Sequence, residues 1–337
     1  MSNKNIKAIY SHTIGVVSME GRGFSNPVDL AISSESRIYV LSRTNPEQPE
    51  GIRIGICNME SEYFGDFGEY GSGRGQFIWP TALAIDEDDN IYLADEHNNR
   101  ISIFDKTGKF IECWGEAGND KGFINGPSGI CFDSQYHLLI VDQFNNRIQK
   151  FTKDGKYLDS WGSKGNSENQ LNLPWGISVT PSEEILVADW GNNRVQKFSS
   201  DGDILGSYGT FNDKKHCLKR PSSAVQDKEG FIYIADWGNE RIQIIDKDGN
   251  HFQELKGDSG LSPWAEEFFE ANKDQAIARS KANLEPTVDP EIQDPYEVSA
   301  RIEKYFWGPA SIKLTNNNEL LIVESNRHRI QVYSITQ

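Results

Sequence analysis

The sequence predicts an all-β, six-bladed β-propeller, and three observations carry that prediction. A proline returns at Pro27, Pro80, Pro127, Pro174, Pro221 and Pro309. An arginine returns at Arg53, Arg100, Arg147, Arg194, Arg241 and Arg329, in steps of 47 residues from Arg53 to Arg241. Between these marks lie short apolar segments parted by turn residues, four to a unit. A repeat of this length, made of short strands, buries its apolar faces only by packing unit against unit, which is the logic of a radial array.

Within a unit the strands can be placed one by one. In the fourth they read Trp175–Thr180, Glu184–Ala188, Arg194–Phe198 and Ile204–Gly209, with Asp201-Gly202 as a tight hairpin between the last two. The outermost strand ends in an aromatic-glycine pair thirteen residues before the next proline: Phe67-Gly68, Trp114-Gly115, Trp161-Gly162 and Tyr208-Gly209. The same count back from Pro27 lands on Ile14-Gly15. Gln337 falls before a fourth strand of the sixth unit. The segment near Tyr10–Val17 is therefore expected to complete the last blade and so remove its open edges.

The turn between the second and third strands carries Asp-x-x-Asn-x-Arg: Asp95, Asn98, Arg100; Asp142, Asn145, Arg147; Asp189, Asn192, Arg194; Asp236, Asn239, Arg241. The aspartate ends one strand and the arginine opens the next, so charge-assisted hydrogen bonds across the turn are expected to fix the hairpin. With its Pro-led strand, this pattern resembles the NHL repeat over nearly the whole chain, apart from about residues 257–306. The resemblance implies the propeller. For activity it implies only a range: protein-interaction scaffolds, RNA-binding domains, a peptide-amidating lyase and, more distantly, lactonase-like hydrolases.

A feature repeated in nearly every blade is scaffold, so function is sought where the repeat is broken. Two insertions fall on the face of the second-to-third-strand turns, here the upper face: the loop Arg43–Gly51 and the segment 257–306 between units five and six. Ser262-Pro263, Asn272 with Gln275, and Asp294 with Glu297 are helix-start signals, predicting helices near 263–271, 273–283 and 295–305. Trp264, Phe268 and Phe269 are expected to pack downward. The segment reads as a lid-like or partner-docking insertion in a single domain of residues 1–337, or as a cover for apolar surface.

Aromatic residues gather on the same face. Trp79, Phe144, Trp175, Trp190, Trp237 and Trp307, with Arg220 from the basic run Lys214–Arg220, are the candidate ligand-binding residues for a small molecule or peptide. The resemblance to the amidating lyase implies zinc held by histidines near the shaft, yet only His97 and His328 lie in the relevant turns and no three-histidine set is evident. His97 is the single candidate metal ligand or base, with Asp29 and Glu324 as carboxylate partners. No cofactor motif is evident, and a divalent metal in the shaft would lack a ligand pattern. Blade six departs furthest from the repeat: Glu324 replaces the motif aspartate, and Arg327 and His328 crowd the turn. A pocket bounded by Asp29, Glu324, Arg327, Trp307 and the insertion is the expected place for any unique chemistry. Gly71–Gly75 resembles a nucleotide loop but precedes a strand, so its glycines are expected to serve the chain path. Asp86–Asn90, on the opposite face, lacks the spacing of a calcium loop.

Net charge is −16 with a pI near 4.9, which opposes nucleic-acid binding. No apolar run approaches the roughly 18 residues of a membrane helix. The first twenty residues hold no apolar block of secretory type. Cys57, Cys113, Cys131 and Cys217 show no paired spacing and read as free thiols, which suits the cytoplasm. The expectation is a cytoplasmic ligand- or peptide-binding module that also meets other proteins. The rival is a lyase or hydrolase with its active site at the mouth of the shaft.

Overall fold

The computed structural model describes residues 6–336. Six four-stranded antiparallel sheets form the ring. The innermost strands are Pro27–Ile32, Pro80–Ile85, Pro127–Phe132, Ile177–Val179, Ser223–Gln226 and Pro309–Leu314. The outermost are Tyr63–Phe67, Phe110–Trp114, Tyr157–Trp161, Ile204–Tyr208, His251–Leu255 and Lys7–Ile14. Lys7–Ile14 pairs antiparallel with Arg329–Thr336 and closes the ring. It starts earlier than the expected Tyr10, because the partner strand runs on to Thr336 and offers it hydrogen bonds from Lys7 onward.

The core is shared out between blades. Leu139, Val141 and Ile148 of blade three interlock with Ile177, Val187 and Phe198 of blade four. Each such side chain, fully buried, contributes about 1.5–3 kcal/mol.

The motif arginine does more than pin its hairpin. Arg147 meets Asp142, and Arg194 meets Asp189, both at 2.7 Å; Arg241 meets Asp236 at 2.8 Å. The same guanidinium groups reach carbonyls of the crossover that leads into the blade: Asp120 and Phe123 for Arg147, and Asn166, Ser167 and Gln170 for Arg194. In blade two Arg100 turns to the carbonyls of Ser72, Gly73 and Gln76. The glycine-rich loop Gly71–Gly75 is thus a wrapping around the scaffold arginine.

A second device joins neighbouring blades. The residue before the motif arginine is left-handed, with φ between 51° and 55° at Asn99, Asn146, Asn193, Glu240 and His328. Its side chain accepts a hydrogen bond from the backbone N–H just before the next blade's proline. The pairs are Asn99 with Gly126 (2.8 Å), Asn146 with Leu173 (2.9 Å), Asn193 with Arg220 (2.8 Å), Glu240 with Gly308 (2.6 Å) and His328 with Asn26 (2.9 Å). These latches account for five of the six junctions. At the junction of blades one and two the corresponding residue is Ile52, which has no acceptor to offer.

The insertion folds as three helices: α1 (Pro263–Ala271), α2 (Lys273–Lys281) and α3 (Pro295–Arg301). Ser262 caps α1 and Asp294 caps α3 through their side chains. Asn272 makes no side-chain cap for α2; its amide donates back to the carbonyl of Phe268. The third helix stops at Arg301, short of the expected 305, because Ile302 turns extended and Arg327 takes the carbonyls of Ser299 and Ile302. Of the three aromatics expected to pack downward, Trp264 is buried, Phe269 is partly covered and Phe268 is exposed. Trp264 enters the seam between blades six and one. Its ring lies 5.7 Å from Phe24 and 6.2 Å from Tyr63, and its Nε1 donates to the carbonyl of Ser61.

Candidate functional site

The central shaft is narrow. Asp29, Thr81, Ser128, Trp175, Ser222, Ser311 and Lys313 are among the residues around a cavity of only 20 Å³, room for about one water. Inner strands approach so closely that a Cβ on Gly176 would stand 2.3 Å from the carbonyl oxygen of Ser222. Any larger ligand must therefore sit at a mouth of the shaft.

Within the shaft, hydroxyls at the position after the proline form a girdle. Thr81 donates to the carbonyl of Pro127, Ser128 to that of Pro174 and Ser222 to that of Pro309. Asp29 belongs to the same framework. It accepts from the backbone N–H of Leu83 and the hydroxyl of Ser311, and it meets Lys313 at 3.2 Å, tying blades one, two and six. In blade four the girdle position holds Trp175, an indole where its neighbours carry a hydroxyl.

The upper mouth is ringed by the residue that follows each second strand: Arg43, Glu96, Gln143, Trp190, Trp237 and Ser325. Arg43 leaves blade one and reaches across the opening toward blade four. Its guanidinium carbon lies 4.8 Å from the ring of Trp79 and 5.8 Å from that of Trp175. Among the described residues the guanidinium finds no hydrogen-bond acceptor or ion pair, and Nη1 is buried without one. Burial lowers the pKa of Arg43, while Glu96 opposes the shift electrostatically. Burial raises the pKa of Glu96, partly offset by Arg43.

Two further arginine-indole pairs stand around the rim. Arg220, exposed and at φ 50°, lies 4.7 Å from the ring of Trp190. Arg327 lies 5.4 Å from Trp307, which packs at 5.4 Å against Tyr296 of α3. Trp237 is half-buried in the next turn, and Phe144 is exposed over Gly126. The structure thus brings Trp79 and Trp175 together through Arg43, pairs Trp190 with Arg220, and ties Trp307 and Arg327 to the insertion.

The candidate catalytic residues do not converge. His97 is exposed in the turn of blade two. Asp29 is held inside the shaft. Glu324 is fully buried and grips Arg329 at 2.7 Å with a further bond from Gln331. Arg327 is committed to the end of α3. The shaft cavity that Asp29 lines is bordered by none of His97, Glu324 and Arg327. Among the described residues no three His, Cys, Asp or Glu side chains are grouped to hold a metal, so the donor set a zinc lyase needs does not fit here. Arg43 and Glu96 escaped sequence reasoning. The loop Arg43–Gly51 stood out by its length, but nothing local marks its first residue as reaching another blade.

On the opposite face a groove of 750 Å³ is lined by Phe132, Tyr136, Ile177, Val179, Lys313 and Leu314, among others. Lys313 there is bound to Asp29. No helix among the described residues is long and apolar enough to cross a membrane.

Comparison with known proteins places this geometry in context. The NHL repeat matches at residues 77–104, 171–198 and 306–333. The protein brain tumor of Drosophila melanogaster is 42% identical over 53 residues, which are 16% of this chain and 5% of that protein. The B-box type zinc finger protein ncl-1 of Caenorhabditis elegans is 39% identical over 56 residues, 17% of this chain and 7% of that protein. Each match therefore spans a small part of its relative. Among solved structures, a streptogramin B lyase covers 99% of this chain and 88% of its own at TM-score 0.57 and 15% identity. An auxiliary nutrient binding protein from Bacteroides thetaiotaomicron covers 100% and 79% at TM-score 0.62 and 11% identity. At such identities the likeness is one of fold.

Proposed function

Because the chain is an NHL-repeat six-bladed β-propeller, we propose that it is a binding and interaction module that takes a small molecule or peptide on its upper face. The observation that carries this is the set of arginine-indole contacts around the upper mouth, with Arg43 lying across it between Trp79 and Trp175. Aromatic rings supply large apolar contact at low entropy cost, and arginines beside them add donors that fix orientation. Both residue types are those in which binding energy concentrates at interfaces. A rigid ring of blades presents them without prior ordering, which limits the entropy lost on binding.

The proposed setting is the cytoplasm. Four unpaired cysteines support it, since reducing compartments keep thiols free. The net charge of −16 disfavours nucleic acid as the partner.

A displayed peptide library selected on the wild-type protein tests the reading. Enriched peptides should lose at least about tenfold in affinity on Trp190→Ala or Trp237→Ala, a hot-spot loss of roughly 1.4 kcal/mol or more. Peptides that bind the doubly substituted protein as well as the wild type would refute it.

A further inference from the structure

We propose that Arg43, Trp79 and Trp175 form a subsite for a carboxylate carried on a flat or apolar group, seated at the upper mouth of the shaft. This rests on the upper face being a binding surface and adds the chemistry of what binds there.

The first argument is the unspent guanidinium. Arg53, Arg100, Arg147, Arg194, Arg241, Arg327 and Arg329 all donate to carbonyl or carboxylate oxygens of the chain. Arg43 donates to none, although the chain holds 50 acidic residues. Its Nη1 is shut from water without a hydrogen-bond partner while the residue as a whole is half-buried, a costly arrangement for a charged donor whose retention points to an acceptor from outside the chain. The planar fork of N–H groups fits a carboxylate through two parallel hydrogen bonds.

The second argument is the walls. Indoles on two blades hold the guanidinium by cation–π contact and leave apolar surface beside it. A ligand whose carboxylate reaches Arg43 would lay its body against these rings. Glu96 lies near enough to act on Arg43 electrostatically and forms no ion pair with it. That negative charge favours a monoanion over a dianionic phosphate.

The third argument is location. The latch fails at the junction of blades one and two, where Ile52 stands in place of asparagine. The hydroxyl girdle of Thr81, Ser128 and Ser222 is absent from blades one, four and six, where Val28, Trp175 and Ala310 stand, and blade four alone fills the position with an indole. The missing latch and this indole meet at Arg43. The 20 Å³ cavity below admits only water, so the ligand stays at the mouth.

A peptide chain end and a free organic acid share this chemistry. Titration calorimetry with hippurate, 3-phenylpropionate, neutral hippuramide and phenyl phosphate, on wild type, Arg43→Gln and Trp175→Ala, separates the outcomes. One or both acids should bind saturably, with hippuramide and the Arg43→Gln protein each at least about tenfold weaker, the scale of a charge-assisted hydrogen bond. Preference for hippurate over 3-phenylpropionate would indicate a chain end as the source, and the reverse a free acid. Equal binding of hippurate and hippuramide, unchanged in Arg43→Gln but lost in Trp175→Ala, would overturn the carboxylate assignment while sparing the upper face. Tighter binding of phenyl phosphate than of either acid would overturn it as well. No saturable response to either acid up to about 10 mM would also overturn it, that being weaker than any useful site. The peptide selection then judges the face on its own.

Discussion

The imidazole Nδ1 of His328 accepts a hydrogen bond from the backbone N–H of Asn26 at 2.9 Å, across the seam where the two ends of the ring meet. The bond requires a neutral ring with its proton on Nε2. Burial lowers the pKa of His328 below the ordinary value near 6.5. The unfolded chain then binds a proton at a pH where the folded one does not. Stability from this group is complete above about pH 6.5 and is lost as pH falls toward the folded pKa. His328→Asn copies Asn99, Asn146 and Asn193, so it should keep the latch and flatten this part of the pH profile. Urea unfolding of both proteins between pH 5 and 8 measures the difference; identical slopes would refute the assignment.

Glu240 is the latch between blades five and six, and it carries the opposite linkage. Burial first, then the charges of Glu324 and Asp294, push its carboxyl up to about 7, against the bond from Gly308. A raised carboxyl pKa means stability present below about pH 4.5 and lost as pH rises through 7. Glu240→Asn should preserve the bond to Gly308 and suit the left-handed backbone. It is expected to stabilise the protein at pH 8 by on the order of 1–2 kcal/mol and to do little at pH 4.5, read from unfolding midpoints. Destabilisation at pH 8 would show that the charge has a partner there.

Much of this architecture was legible because it repeats. Proline and arginine mark equivalent backbone positions, and four strands per unit follow from the turn residues between them. Ile14-Gly15 located the closing strand by counting alone. The helices of the insertion were announced by Ser262, Asp294 and their prolines. The latches had a signal that passed unread: Asn99, Asn146 and Asn193 recur one residue before the arginine, and asparagine is a residue that tolerates the left-handed region. The meeting of Arg43 with Trp175 had none. They belong to blades on opposite sides of the ring, and a periodic pattern describes neighbours, not what spans the centre.

Trp264 illustrates a substitution of parts. In blade two the outer-strand Trp114 packs 5.2 Å from Phe151 of blade three and donates to the carbonyl of Lys153 in its turn. At the seam the equivalent strand residue is Ile14, too small for that socket. Trp264 arrives from α1 and donates to Ser61 in the turn of blade one. The insertion therefore braces ring closure, whatever else it does. Trp264→Ala should cost about 3–5 kcal/mol, the range for a large buried aromatic. Amide exchange should quicken first in the strand Lys7–Ile14. Uniform exchange across all six blades would argue against a local brace.

Glu324 separates a scaffold role from a chemical one. It stands where three other blades place an aspartate paired with the motif arginine, is fully buried, and holds Arg329 and Gln331. Burial raises its pKa, and Arg329 is the strongest influence holding it down. Removing one member of a buried ion pair strands the other charge, so Glu324→Ala should destabilise by about 3–5 kcal/mol. Glu324→Gln keeps the shape and an acceptor for Arg329, so it should lose less. In that second protein the ligand affinity of the upper face should stay within about twofold of wild type, since Glu324 bonds Arg329 and Gln331 and shares no partner with Arg43, Trp79 or Trp175. Glu324→Gln that folds as stably as wild type yet loses a measurable turnover would instead place this carboxylate in an active site, and would favour the lyase or hydrolase reading over the binding module.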